Sequence, residues 1–171
     1  MAQRIEKNTL SEIAIFYGNV KMPKGFEINK GVLKLDNFIA NITNKEFQFS
    51  KIWDMLNTYI IDFVNCEHNI KLINQKTWGN IYYPNQVSKP LLDVNPVDLK
   101  NSPDYTCLYG VDLQNCTITI LYDDNRRKGK TWDIPLTDNK FIIFPSSCMY
   151  FIKNNQKQNL NFIQTITYCY I

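Results

Sequence analysis

The apolar positions of this chain change their period once. Between positions 50 and 68, Ile52, Trp53, Met55, Leu56, Tyr59, Ile60, Phe63 and Val64 recur every three or four residues, while Lys51, Asp54, Asn57 and Asp62 fall off that face. This is the spacing of an amphipathic helix, and Ser50 is a suitable N-cap for it. A stripe this wide has to be covered, most simply by the outside of a sheet. After position 69 the pattern turns strand-like. Short apolar runs occupy 70–73, 78–83, 106–111, 116–122, 130–134, 141–144, 150–152 and 161–171, with Pro, Asn, Asp and Gly between them. Many short strands at this spacing predict a β-sandwich or jelly roll.

The first 49 residues are expected to form strands and turns. An apolar segment at 13–17 is closed by Gly18, a turn falls at 22–25, and 31–42 fits either a strand or a short helix. The stretch 85–103 carries Pro90, Pro96 and Pro103 among polar residues, with Pro84 at its entrance. A loop of that length often serves as a functional lip or an interaction arm. No repeat or linker divides the chain, so residues 1–171 are expected to form a single domain: N-terminal strands and turns over 1–49, an amphipathic helix over 50–68 and a β-rich core over 70–171.

Composition narrows the function classes. At 171 residues, 44% hydrophobic and 13% aromatic, the chain can bury a core of its own. A net charge of +3 does not point to nucleic acid. No apolar run approaches the roughly 20 residues of a membrane span, and Met1 is not followed by a signal-peptide core, so neither a membrane nor secretion is expected. The five cysteines, Cys66, Cys107, Cys116, Cys148 and Cys169, are odd in number and form no C-x-x-C pair, which fits buried free thiols in a reducing compartment.

The candidate chemistry is sparse. No nucleophile elbow, P-loop or dinucleotide fingerprint appears. His68 is the single histidine, and its place at the end of the long helix suits a cap on the helix dipole better than a ligand role. Ser146-Ser147-Cys148 has no second histidine to serve as a base. Asp93, Asp98 and Asp104 are loop carboxylates that either stand solvated or mark a cation site. Positions 123–130 read as a charged hairpin turn, with Gly129 expected at positive φ, and Arg126, Arg127, Lys128 and Lys130 there are the candidate contacts for an acidic partner or a phosphate. Tyr82, Tyr83, Tyr105, Tyr109, Tyr122, Tyr150, Tyr168 and Tyr170 either pack the core or line a ligand-stacking cavity.

From about position 50 onward the order of features resembles the small 2-oxoglutarate- and Fe(II)-dependent oxygenases built on a double-stranded β-helix. Trp78-Gly79-Asn80-Ile81-Tyr82 looks like their first strand, Tyr109-Gly110-Val111 like the strand after the ligand loop, and Phe144-Pro145-Ser146 like the segment before the distal histidine. The resemblance implies an iron site of two imidazoles and one carboxylate and an arginine on the last strand for the co-substrate. Counting from these anchors, the first histidine position falls near Leu91, the carboxylate on Asp93, the distal histidine on Tyr150 and the arginine near Leu160 or Asn161. No arginine follows Arg127.

The expectation is therefore a mainly β, α+β jelly roll or double-stranded β-helix, with one long helix packed on the sheet and neither metal nor cofactor. It implies a non-catalytic structural or binding protein. The Asn-, Ile- and Lys-rich composition resembles proteins of tailed phages, which implies a virion or assembly component, partnered by viral structural proteins or by itself, in the virion or host cytoplasm. The alternatives are an active oxygenase with an atypical metal site of Asp93 and Tyr150, and a jelly roll that binds a sugar or nucleotide in the barrel mouth.

Overall fold

The regular structure runs β1 (Phe16–Asn19), α1 (Lys30–Thr43), α2 (Lys51–His68), β2 (Leu72–Tyr82), β3 (Tyr105–Asp112), β4 (Cys116–Asp123), β5 (Gly129–Leu136), β6 (Lys140–Pro145), β7 (Tyr150–Asn154) and β8 (Asn161–Tyr170). The structure is a computed structural model and describes residues 13–21, 24, 29–43, 51–123 and 129–171. One sheet has five strands in the order β1-β6-β3-β8-β2 and the other three in the order β5-β4-β7. Every pairing is antiparallel. The smaller sheet gains a fourth, irregular member from the long loop: Val87 and Leu91 form isolated bridges to Lys153 and Tyr150 of β7. Two sheets closed face to face in this way make the jelly roll expected from the strand pattern.

The larger sheet is covered on both faces. On one side Cys107, Tyr109, Phe141, Ile143, Ile166 and Tyr168 pack with Leu33 of α1 and with Trp53, Leu56, Ile60 and Val64 of α2. On the other, Leu108, Ile142, Phe144 and Ile163 meet Ile118, Ile120, Ile134 and Ile152 of the smaller sheet. This double burial is why β3 and β6 read as unbroken apolar runs rather than alternating ones.

The N-terminal half differs from the expectation of strands and turns. The ambiguous stretch 31–42 is a helix, and Asn29 supplies its cap by accepting the Val32 amide on Oδ1 at 3.2 Å. Leu33 and Asn37, four apart, are both buried against the sheet, while Leu35 and Phe38 stay exposed. Lys30 and Lys34 pair with Asp138 and Asp112, which ties α1 to the ends of the strands below it. Gly18 lies inside β1 rather than closing it. The runs 70–73 and 78–83 join into the single strand β2, whose register slips between Asn74 and Lys76. Ser50 and most of the turn at 22–25 lie outside the described residues.

A buried hydrogen bond fixes α2 on the sheet: the Tyr168 hydroxyl donates to Asn57 Oδ1 at 2.7 Å. Tyr168→Phe leaves that amide oxygen without a partner and is expected to cost about 1–3 kcal/mol, read as a lower midpoint in urea unfolding at unchanged slope.

Candidate functional site

Register places a row of side chains across one end of the larger sheet. Thr106 of β3 sits opposite Phe144 of β6 on one side and Thr167 of β8 on the other. Thr167 in turn pairs with Lys76 of β2, and the next rung pairs Thr165 with Trp78. Because successive side chains alternate faces, Lys76, Trp78, Asn80 and Tyr82 share the face that looks into the barrel. The long loop closes this end from the other side. Leu91 and Tyr150 exchange backbone hydrogen bonds of 2.9 and 3.0 Å, and two residues later Asp93 turns toward the row.

Asp93 is the hub. Its Oδ2 accepts hydrogen bonds from Thr106 Oγ1 at 2.7 Å and from the Tyr150 hydroxyl at 3.1 Å. Thr106 Oγ1 also lies 2.9 Å from Ser146 Oγ. With the threonine proton directed at the carboxylate, Ser146 is the donor in that second contact. Burial pushes the Asp93 carboxyl above its usual range, and the hydrogen bonds from Thr106 and Tyr150 pull partly the other way. Tyr150 is raised well above an ordinary phenol, first by burial and then by the Asp93 charge. Tyr82 moves upward for the same leading reason. Both phenols are therefore neutral near pH 7.

These residues do not fit iron with 2-oxoglutarate. At the position that the resemblance gives to the first histidine, Leu91 offers no lone pair. At the position that it gives to the distal histidine, the Tyr150 hydroxyl spends its proton on Asp93, whereas a phenol ligates iron well only as phenolate. Of the two residues near which the resemblance places the arginine, Leu160 is apolar and Asn161 is fully buried in an amide network, accepting from Gln156 Nε2 at 3.4 Å; neither has a charge for a carboxylate. The barrel interior is filled by Tyr82, Leu108, Phe144, Tyr150 and Ile163. Among the described residues no three His, Cys, Asp or Glu side chains are grouped to hold a metal.

What remains open is a cleft of about 580 Å³ at the mouth, bounded by Trp78 and Lys76 of β2, Thr167 of β8, Asp93, and the 95–103 part of the loop. The loop wall is tied internally. Ser102 Oγ accepts the Asn95 amide at 2.8 Å and donates to Asp98 O at 2.9 Å. Asn101 Nδ2 donates to both Asp98 carboxylate oxygens, and Gln75 of β2 reaches Asn101 O at 3.1 Å.

The structure thus brings Asp93 and Tyr150 into one hydrogen-bonded group. Of the three loop aspartates, Asp93 and Asp98 line the cleft, with Asp98 bonding Asn101, while Asp104 lies apart and accepts the Tyr170 amide at 2.7 Å. Of the two readings of the tyrosines, core packing or a shared cavity, the structure favours the first for four of them. Tyr82 and Tyr150 lie in the core between the sheets, Tyr109 and Tyr168 under the helices, and Tyr83 and Tyr170 are exposed. His68 is exposed at the end of α2, its ring 4.7 Å from that of Phe16. Arg126, Arg127 and Lys128 lie outside the described residues, and Lys130 is exposed near the start of β5. Gly129 opens that strand opposite Asp123 and is not at positive φ. Sequence reasoning missed Thr106 and Thr167, because threonine in a strand reads as a β-former, and it weighed Ser146 only as a nucleophile and as part of a segment before a ligand. Their phase was the available signal: Thr106, Thr165 and Thr167 are polar at positions that point into the barrel.

No family model and no curated protein matches the chain. Solved structures do. AviO1 from Streptomyces viridochromogenes Tue57 aligns over 92% of this chain and 90% of its own at a TM-score of 0.59 and 12% identity. A Pseudomonas putida prolyl-4-hydroxylase aligns over 91% and 87%, with a TM-score of 0.60 and 9% identity. SnoN, a non-heme alpha ketoglutarate dependent epimerase from nogalamycin biosynthesis, aligns over 89% and 76% at 0.57 and 10%. At such identities the likeness shows the fold, the double-stranded β-helix of the 2-oxoglutarate/Fe(II) oxygenases.

Proposed function

We propose that this chain binds a small molecule in the cleft at the barrel mouth and does not carry out the iron reaction of the fold it shares. One observation carries this reading: the Tyr150 hydroxyl donates to Asp93 at 3.1 Å, so these two side chains, which the resemblance puts at metal-ligand positions, satisfy each other rather than a metal. A half-buried carboxylate at a cleft, raised in pKa by desolvation, is also a common mark of a functional site. The five free cysteines support a reducing setting such as a cytoplasm.

A second reading has its own support. The similar structures include enzymes by name, a prolyl-4-hydroxylase and an epimerase, which favours an active oxygenase with Asp93 and Tyr150 as ligands over a virion component. The virion reading rests on composition and on exposed apolar residues of the loop, Val97 and Leu99. Thermal unfolding with Mn(II), a redox-inert stand-in for Fe(II), and 2-oxoglutarate separates binding protein from oxygenase. A ligand at a hundred times its Kd stabilises by about 2.7 kcal/mol, or roughly 5–10 °C for a domain of this size. The expected result is no shift. A shift that requires both additions overturns the proposal in favour of the oxygenase.

A further inference from the structure

We propose that the cleft is a saccharide site, taking a neutral or amine-bearing sugar ring with an apolar ring face on Trp78 and hydroxyl or ammonium groups on Asp93 and Thr167. This rests on the small-molecule reading above and names its ligand class.

Thr167 is the observation that points to a ligand. The residue is 2% exposed and borders the cleft, yet its Oγ1 has no hydrogen-bond partner. A buried hydroxyl without a partner is costly, and a turn of the Thr167 side chain toward the cleft it borders would let a ligand hydroxyl satisfy it. Beside it stands Asp93, whose two hydrogen bonds from the protein both fall on Oδ2. A carboxylate with acceptor capacity to spare and an unfilled hydroxyl on one wall suit a ligand rich in hydroxyl donors and acceptors.

Size and charge narrow the class. The volume of about 580 Å³ falls in the range of small-molecule sites, about 300–1,000 Å³. Trp78 is half-buried and lines the opening; an indole offers an apolar face and also attracts cations. Two carboxylates, Asp93 and Asp98, stand against one ammonium, Lys76, among the lining side chains. That balance disfavours phosphates and dicarboxylates, and so nucleotides and 2-oxoglutarate. The internal bonds of the 95–102 wall hold it in place before any ligand arrives, which lowers the ordering cost of binding.

The test is saturation-transfer NMR on the full chain with glucose, galactose, mannose and glucosamine, alongside glucose 6-phosphate, AMP and 2-oxoglutarate, each at millimolar concentration. The expected result is transfer to the ring protons of at least one unphosphorylated sugar, lost in Trp78→Ala. Thr167→Val removes only an unpartnered hydroxyl, so the fold is retained, and it is expected to weaken that sugar about five- to tenfold, the effect of one hydrogen bond. Transfer to the phosphorylated compounds alone, abolished by the same variants, overturns the saccharide assignment and leaves the small-molecule reading standing. Transfer to none of the seven probes overturns both. Sugar binding that Thr167→Val and Trp78→Ala leave unchanged overturns the placement in this cleft.

Discussion

Replacing Gly79 with alanine is expected to destabilise the protein by about 3 kcal/mol, lowering its melting temperature by roughly 6–12 °C. A Cβ at Gly79 would overlap Asn37 of α1, both its Oδ1 and its Cα. Because one of those atoms is backbone, a rotamer change in Asn37 cannot relieve the clash; the whole helix must move off β2. Asn37→Ala should therefore fail to rescue Gly79→Ala. Asn37→Ala alone should be near neutral, since Asn37 is fully buried and neither side-chain polar atom has a partner, so that its removal relieves an unmet desolvation cost. Differential scanning calorimetry of the three variants decides. A Gly79→Ala protein that melts with the wild type would mean that α1 does not seat on β2 as described.

The second large effect concerns the hub at the barrel mouth. Tyr150→Phe takes a hydrogen bond from a half-desolvated carboxylate and is expected to cost about 1.5–3 kcal/mol at neutral pH. The cost should shrink in acid, because the protonated Asp93 needs that donor less. The pH dependence follows from the direction of the Asp93 shift. Its folded pKa lies above the ordinary 3.8, chiefly through burial. The stability it contributes is therefore complete below that value and is lost as pH rises through the folded pKa. Asp93→Asn keeps an acceptor for Thr106 and Tyr150 without the charge. It should remove this falling component and leave the protein at least as stable as wild type at neutral pH, while Tyr150→Phe should steepen it. In the Asp93→Asn background the Tyr150→Phe cost should drop, a coupling that a double-mutant cycle reads directly. Urea midpoints measured from acid to neutral pH test all three. Additive effects would mean that the two side chains do not share the bond.

Much of the scaffold was legible in the pattern of apolar residues. The helix expected over 50–68 is observed as Lys51–His68, and the runs at 106–111, 116–122 and 141–144 became β3, β4 and β6 within a residue or two, because a buried stripe or a two-sided sheet leaves a strong period. Two failures have local causes. Polar residues at 74–77 hid the continuity of β2, since a slipped register there breaks the alternation. At 31–42 the deciding signal was Asn29 as a cap, not the apolar content. The site was half legible. The resemblance put Asp93 and Tyr150 in the same place, and they are hydrogen-bonded. Pattern alone could not show that Thr106 and Ser146 complete the group, nor that Trp78 rather than the tyrosines borders the open space, because the cleft depends on how a loop without regular structure returns over the sheet. Periodicity is silent about such a path.

The central proposal is that Asp93 and Tyr150, which the resemblance puts at metal-ligand positions, satisfy one another rather than a metal. The most direct measurement is an anaerobic Mn(II) titration of the full chain, followed by electron paramagnetic resonance, with and without 2-oxoglutarate. Free Mn(II) gives a six-line signal, and the account predicts that it persists undiminished at stoichiometric protein. Loss of one equivalent of that signal, restored by Asp93→Ala, would contradict the account and establish the barrel mouth as a metal centre.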